Sequence, residues 1–307
     1  MIREIRFHGE RAFRMESEVL SVTALPDFGG KLASIRYLPR DFEFLFQNPN
    51  ARFRPATPGD DFSRFEACGF DDAFPTVDAC EVMIGSQVRI YPDHGEIWSS
   101  RFEAHTEGDA LVQSFKSPLF GYDYEKRFSV DGDRLRCAYR IHNPNDTAMP
   151  AIWTCHCLAR AEDDMEVLMP RDTLRAINAF SGEWLGEKDA SLSYPLALGP
   201  HGPVDLRRMP PSGMLKFYVD GPLTEGCCGY RYNQSGVRVT IGFDPEKLPY
   251  LGFWATSGGF RGDHNCALEP SNGFYDNIPN SQANGACPVL EPGETWLFDL
   301  EFGFELM

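Results

Sequence analysis

At 307 residues with 42% hydrophobic residues, the chain has ample apolar surface for an extensive folded core. Its net charge of -16 and pI near 4.8 predict a field that repels phosphate backbones and anionic membrane surfaces, which argues against nucleic-acid and membrane partners. No secretory signal or membrane-length apolar run is visible, and the nine cysteines lack a disulfide-framework spacing, so we predict a soluble cytoplasmic protein.

Alternation of apolar and polar residues is the commonest pattern along the chain. It is clearest in "RLRCAYRIHN" (134–143), "VRVTIGF" (237–243) and "TWLFDLEFGF" (295–304). A period of two residues places one set of side chains on each face of an extended backbone. We therefore predict half-buried β-strands in all three segments.

Short turn-forming clusters separate the predicted strands, and no segment combines helical apolar spacing with proper caps. Two Pro- and Gly-rich segments, "NPNARFRPATPGDD" (48–61) and "PSNGFYDNIPNSQANGACP" (270–288), are predicted to be long loops, where functional sites are often built. No repeat or linker divides the chain. The prediction is a single all-β domain over 1–307, a large antiparallel two-layer β-sandwich with few short helices.

Three segments concentrate side chains that could carry chemistry. They are "YPDHGEIWSS" with His94, "WTCHCLARAEDD" with His156, and "NCALEPSNGFYDN" with Glu269. Each also has a structural interpretation: a turn around Asp93, a core histidine, and a carboxylate at the edge of a loop. Taken singly, none of the three segments shows whether its residues have a chemical role or only a structural one.

Known cofactor motifs are missing from the sequence. It has no HExxH pair, no EF-hand loop and no second Cys or His pair that would complete a zinc site with "CHC", so no metal site is predicted. A hard cation held by Asp71 and Asp72 stays open. The nucleophile-elbow, Walker and dinucleotide motifs are also absent, and we predict no cofactor.

Taken together and in order, five segments resemble the aldose 1-epimerase (galactose mutarotase-like) superfamily, in a divergent branch. They are "LPDFGGKLASIRY", "CGFDDAFPTVDAC", "PDHGEIWSSRFE", "WTCHCLARAEDDMEVLMP" and "ALEP" followed by "LEPGETWLFDLEF". The resemblance implies the large sandwich of that family, with a concave face that binds a sugar. This agrees with the strand pattern.

The resemblance also implies an isomerase that interconverts the α and β anomers of a sugar. Glu269 would act as the base on the anomeric hydroxyl, His156 as the acid on the ring oxygen, and His94 would hold the substrate. A carboxylate and an imidazolium can together remove one proton and supply the other near neutral pH. Further candidates for substrate binding are the aromatic and charged residues Trp98, Trp254, Asp71, Asp72, Lys31 and Arg36.

Other functions stay open at this stage. The family's Asn-Arg motif and substrate-gripping aspartate have no clear match, so the sugar is not identified. A sugar-phosphate epimerase, a non-catalytic carbohydrate-binding protein and a glycoside hydrolase or lyase are alternatives. The expected partner is a small sugar, and pairing of edge strands into a homodimer is a further option.

Overall fold

Extended backbone dominates the computed structural model, which describes residues 1–49 and 52–307. The three alternating segments form strands, and in the first of them the predicted apolar face is buried, with Leu135 and Ile141 fully inaccessible. The strand predictions are confirmed.

The first half of the described chain contains the strands β1 (Ile2–Phe7), β2 (Glu10–Glu16), β3 (Leu20–Leu25), β4 (Lys31–Tyr37), β5 (Phe42–Glu43), β6 (Phe70–Ala73), β7 (Cys80–Ile84), β8 (Gln87–Tyr91), β9 (Glu103–Glu107), β10 (Ala110–Lys116), β11 (Asp123–Asp131), β12 (Arg134–His142), β13 (Met149–Pro150) and β14 (Thr154–Cys157). The second half contains β15 (Ala159–Arg160), β16 (Glu166–Leu168), β17 (Arg175–Asn178), β18 (Ser191–Ser193), β19 (Leu196–Gly199), β20 (Gly202–Asp205), β21 (Gly213–Val219), β22 (Cys227–Tyr232), β23 (Val237–Phe243), β24 (Tyr250–Ser257), β25 (His264–Ser271), β26 (Val289–Leu290) and β27 (Thr295–Leu306).

Two large sheets contain most of these strands. The larger, 13-stranded sheet has the order β1-β2-β3-β4-β6-β14-β25-β24-β21-β17-β18, with β5 paired to β4 and β15 paired to β25. The smaller sheet has eight strands in the order β16-β22-β23-β27-β12-β11-β10-β9. Adjacent strands run antiparallel, for example β24 against β25 and β12 against β27. The predicted all-β antiparallel class is confirmed.

Aromatic side chains join the two sheets into a two-layer sandwich. Phe302 of the smaller sheet packs against Phe70 of the larger sheet, with ring centroids 5.6 Å apart, and against Phe44 at 6.2 Å. These separations are typical of favourable aromatic pairs. The same apolar cluster contains buried residues from both sheets, so the opposite face of the larger sheet is left for a site.

Helices are few and short within the described residues, as predicted. One α-helix, α1, covers Ile278–Ala283, and three 3-10 turns cover Leu38–Arg40, Phe62–Arg64 and Ile97–Ser99. No described helix has the length and apolar character needed to cross a membrane.

The two segments predicted to be long loops differ from each other. Helix α1 begins where the Asn277 side chain accepts a hydrogen bond from the Asn280 amide at 3.0 Å, so 270–288 is not loop throughout. In the 48–61 segment, residues 50 and 51 lie outside the described residues, and 52–61 contain no strand.

Candidate active site

Four neighbouring strands of the larger sheet, β14, β25, β24 and β21, project polar side chains from one face. Lys216 on β21 lies opposite Trp254 on β24, and Gly252 on β24 lies opposite Glu269 on β25. Directly opposed residues share a face of a sheet, and so do residues two apart on one strand. His156 of β14 shares this face, because Thr154, two residues before it, is opposed to Ser271, which lies two residues after Glu269.

A cavity of about 340 Å³ lies on this face. Such a volume is within the range of small-molecule sites. Its lining consists of Phe62, Ala67, Val77, Asp78, His94, His156, Leu158, Ala179, Phe180, Met214, Lys216, Trp254, Phe260, Asn265, Glu269 and Asp276. His94, His156 and Glu269, the three residues implied by the family resemblance, therefore face one space.

Glu269 lies inside β25, rather than at the edge of a loop, and its side chain is 2% exposed. Burial raises its pKa, whereas the Lys216 ammonium, 3.2 Å from Oε2, acts in the opposite direction. Within the described residues, Oε2 accepts no well-aligned hydrogen bond. Gly252 makes room for this carboxylate, because a Cβ there would come within 3.1 Å of Oε2. Glu269 is thus a buried carboxylate with an acceptor atom available in the cavity.

Lys216 joins Glu269 to a second carboxylate. Its ammonium lies 2.5 Å from Asp276 Oδ1, which also accepts a hydrogen bond of 2.6 Å from the Tyr218 hydroxyl. Burial alone would lower the pKa of Lys216, but the two carboxylates together raise it above its ordinary value. Lys216 is therefore a permanent cation beside Glu269.

His156 is almost fully buried at the floor of the cavity. Its Nδ1 atom has no hydrogen-bond partner among the described residues, and its ring lies 4.9 Å from the His94 ring and 5.3 Å from the Phe62 ring. Burial is the main cause that lowers its pKa well below the ordinary value, and the charges of His94 and Lys216 add to this. The imidazole is therefore neutral at neutral pH, and its protonated form is a stronger acid than an ordinary imidazolium.

His94 is positioned by a strained turn. Its φ is 56°, a left-handed value, and Gly95 follows with a φ of 71°. A Cβ on Gly95 would lie 2.0 Å from the Phe74 carbonyl oxygen, so only glycine fits. His94 Nδ1 contacts Asp93 Oδ1 at 2.9 Å, and its ring stacks on Phe62 at 4.0 Å. With Nδ1 engaged by Asp93, the Nε2 atom is available for a hydrogen bond with a ligand.

Comparison with solved structures assigns the architecture. The chain is similar to the Slr1438 protein from Synechocystis sp. PCC 6803, at 15% identity over 99% of each chain, with a TM-score of 0.74. It is similar to a galactose mutarotase-like protein from Lactobacillus casei ATCC 334, at 14% identity over 96% of this chain and 100% of that chain, with a TM-score of 0.71. The chain has the galactose mutarotase-like fold.

The GalM/aldose epimerase homologue from C. elegans has the same fold, at 13% identity over 100% of each chain and a TM-score of 0.67. No protein-family model and no curated protein matches the sequence. The predicted fold class and the resemblance to galactose mutarotase-like proteins are confirmed at the level of the fold.

Two predicted substrate-binding carboxylates do not line the cavity of this galactose mutarotase-like fold. Asp71 and Asp72 lie in β6, where successive side chains point to opposite faces. Asp71 pairs with Lys31 at 2.9 Å, and Asp72 pairs with Lys126 at 2.7 Å. All four side chains are buried. The ammonium groups of Lys31 and Lys126 thus supply the positive charge that a metal cation bound by Asp71 and Asp72 would have supplied. Within the described residues, no group of three or more His, Cys, Asp or Glu side chains could hold a metal ion.

Arg36 and Trp98 also lie outside the cavity. Arg36 is exposed and pairs with the neighbouring Asp41. Trp98 is buried behind the cavity wall, where its Nε1 donates to the Asp93 carbonyl at 2.9 Å and its ring packs edge-on against Phe62. Trp254 does line the cavity, as predicted.

Four polar cavity residues were not identified from the sequence: Asp78, Lys216, Asn265 and Asp276. A signal existed for Lys216, since alternation in "GMLKFYV" places this lysine on one face of a predicted strand. No local signal connects it to Asp276, because the two residues are 60 positions apart and meet only in the folded sheet.

Proposed function

We propose that the protein catalyses the interconversion of the α and β anomers of a sugar by acid-base ring opening. The observation that carries this proposal is that His94, His156 and Glu269 line one cavity of a galactose mutarotase-like fold. Proton transfer requires acid, base and substrate to lie within hydrogen-bond reach of one another, and a shared cavity allows this.

In the proposed reaction, Glu269 takes the proton of the anomeric hydroxyl while His156 gives a proton to the ring oxygen. The C1–O5 bond breaks, and C1 becomes an aldehyde. Rotation about C1–C2 and closure on the other face of the carbonyl give the second anomer, with Glu269 and His156 exchanging their roles.

The electrostatics of the cavity support these roles. A raised pKa makes Glu269 a stronger base than an exposed carboxylate, and a lowered pKa makes protonated His156 a stronger acid than a free imidazolium. The Nε2 of His94 is available for a hydrogen bond with a substrate hydroxyl. Each proton-transfer group typically contributes 10²- to 10⁴-fold to the rate.

The charge of the cavity favours a neutral sugar over a sugar phosphate. Among the described residues that line the cavity are three carboxylates, on Asp78, Glu269 and Asp276, and one lysine, Lys216. An excess of negative charge repels a phosphate group. A glycoside hydrolase needs a second carboxyl group that acts on the scissile bond, whereas Asp276 is engaged by the Lys216 ammonium and the Tyr218 hydroxyl.

The test is anomer exchange measured by NMR on a panel of neutral aldoses. We expect the wild type to accelerate exchange of at least one sugar, and Glu269→Gln and His156→Asn to lower the rate by about 10²- to 10⁴-fold. Matched controls are Glu103→Gln and His105→Asn on β9, the edge strand of the other sheet, which should keep wild-type rates. If the wild type binds sugars without accelerating exchange, the protein is a binding module. If either cavity variant keeps full activity, the assigned roles are wrong.

A further inference from the structure

Asn265 is a buried polar residue of the cavity that the proposed reaction does not use. Its side chain is 1% exposed, and Oδ1 has no hydrogen-bond partner among the described residues. The hydroxyl of its cross-strand neighbour Thr256 is already engaged, because it accepts from the Phe260 amide at 2.9 Å and donates to the Gly213 carbonyl at 3.5 Å. An unpaired buried acceptor destabilises a folded protein, so its presence at the cavity wall points to a partner in the ligand.

The register of β25 fixes where this acceptor lies relative to the reacting end. Asn265 and Glu269 are four residues apart on one strand and face the same side. At about 3.3 Å per residue, their Cα atoms are roughly 13 Å apart. Trp254 on the adjacent strand is opposed to Ala267, midway between them. An accessible indole therefore lies between the candidate base and the free amide oxygen.

A single pyranose ring fits this spacing. With bonds of about 1.5 Å, oxygens on opposite ring carbons lie roughly 6 Å apart. A hydrogen bond of about 2.8 Å at each end extends the span to roughly 12 Å. This is close to the roughly 13 Å between the Cα atoms of Asn265 and Glu269, whose side chains leave the same face of one strand. A second sugar ring would make the ligand longer than the spacing between Asn265 and Glu269.

Resting on the proposed function, we propose that Asn265 accepts a hydrogen bond from the hydroxyl on C4 of a monosaccharide. C4 is the carbon opposite C1, and C1 is held at Glu269. Trp254 packs against the face of the ring, where the C–H groups of a sugar are apolar. Asn265 thus determines specificity for the substrate and takes no part in proton transfer.

The experiment measures kcat/KM for anomer exchange on the hexose that the wild type accelerates best and on its 3-deoxy and 4-deoxy analogues. The wild type should discriminate against the 4-deoxy sugar by about tenfold, the effect of one buried hydrogen bond. Asn265→Leu removes the acceptor at similar size and should bring this ratio near one. Asn265→Asp keeps an acceptor and should preserve discrimination. The exposed Asn233→Leu is the matched control and should keep the wild-type ratio.

Each ratio compares two sugars on the same variant, so a lower amount of folded protein changes both rates equally and leaves the ratio unchanged. Equal wild-type rates on the parent and 4-deoxy sugars would overturn the role of Asn265 and leave the proposed function standing. A variant effect confined to the 3-deoxy sugar would overturn the assignment to C4. If no sugar is accelerated at all, the proposed function itself fails.

Discussion

Replacing Lys216 with methionine removes the cation next to the candidate base at nearly constant side-chain size. At 3.2 Å and an effective dielectric constant of 20, the attraction between the ammonium and Glu269 is about 5 kcal/mol. This is an upper bound, because Asp276 at 2.5 Å shares the same charge. Without Lys216, the two carboxylates are left as uncompensated neighbours, and the pKa of Glu269 rises further above its ordinary value.

The expected result is a displaced pH profile. If about 1.4 to 2.8 kcal/mol of the attraction acts on the reaction, kcat/KM at neutral pH falls about 10- to 100-fold. The acid limb of the profile moves to higher pH, because the pKa of Glu269 and that of His156 both rise without the Lys216 charge. Lys216→Arg retains the cation and should keep the wild-type limb, as should Lys247→Met at an exposed site. An unchanged acid limb in Lys216→Met would refute the electrostatic role, and this readout does not depend on the amount of folded protein.

Three further outcomes are expected. The wild-type pH profile should be bell-shaped, because Glu269 with its raised pKa must be ionised while His156 with its lowered pKa must be protonated; a profile that lacks either the acid or the alkaline limb would exclude this pair. Gly95→Ala should lower kcat/KM at least tenfold with little change in fold by circular dichroism, since the added methyl would collide with the Phe74 backbone and shift the turn that carries His94. Lys126→Met should lower the unfolding free energy in urea by about 3–5 kcal/mol by leaving the buried Asp72 carboxylate without its counter-charge, and a compensating Asp72→Leu should recover part of the loss.

The strand pattern could be predicted, and so could three candidate residues that line the cavity, because both inferences depend on short-range information. Alternation along β12, β23 and β27 follows from one buried and one more exposed face per strand. His94 and His156 lie in motifs that can be compared with a known family. Neither inference requires knowledge of which strands are neighbours.

The charge partners could not be predicted, because they depend on strand order. Lys31 and Asp71 were assigned to the substrate, yet they lie on adjacent strands and neutralise each other. Burial of a charge requires a partner, so a buried lysine is satisfied by the nearest carboxylate that the fold supplies. The same physical rule explains why Lys216 is paired with Asp276 and Glu269. Only the three-dimensional arrangement shows that this group lines the cavity, whereas the pair of Lys31 and Asp71 does not.

The segment "NCALEPSNGFYDN" brings three cavity residues into a single stretch. Asn265 and Glu269 alternate with Cys266 and Leu268, which are fully buried in the core on the opposite face of β25. A shift of one residue in the pairing of this strand would exchange the two faces, burying polar groups in the core and exposing apolar ones. The apolar residues therefore fix the register that holds the candidate base and the free amide acceptor in the cavity, while Asp276, beyond the end of the strand, is brought back to the base through Lys216.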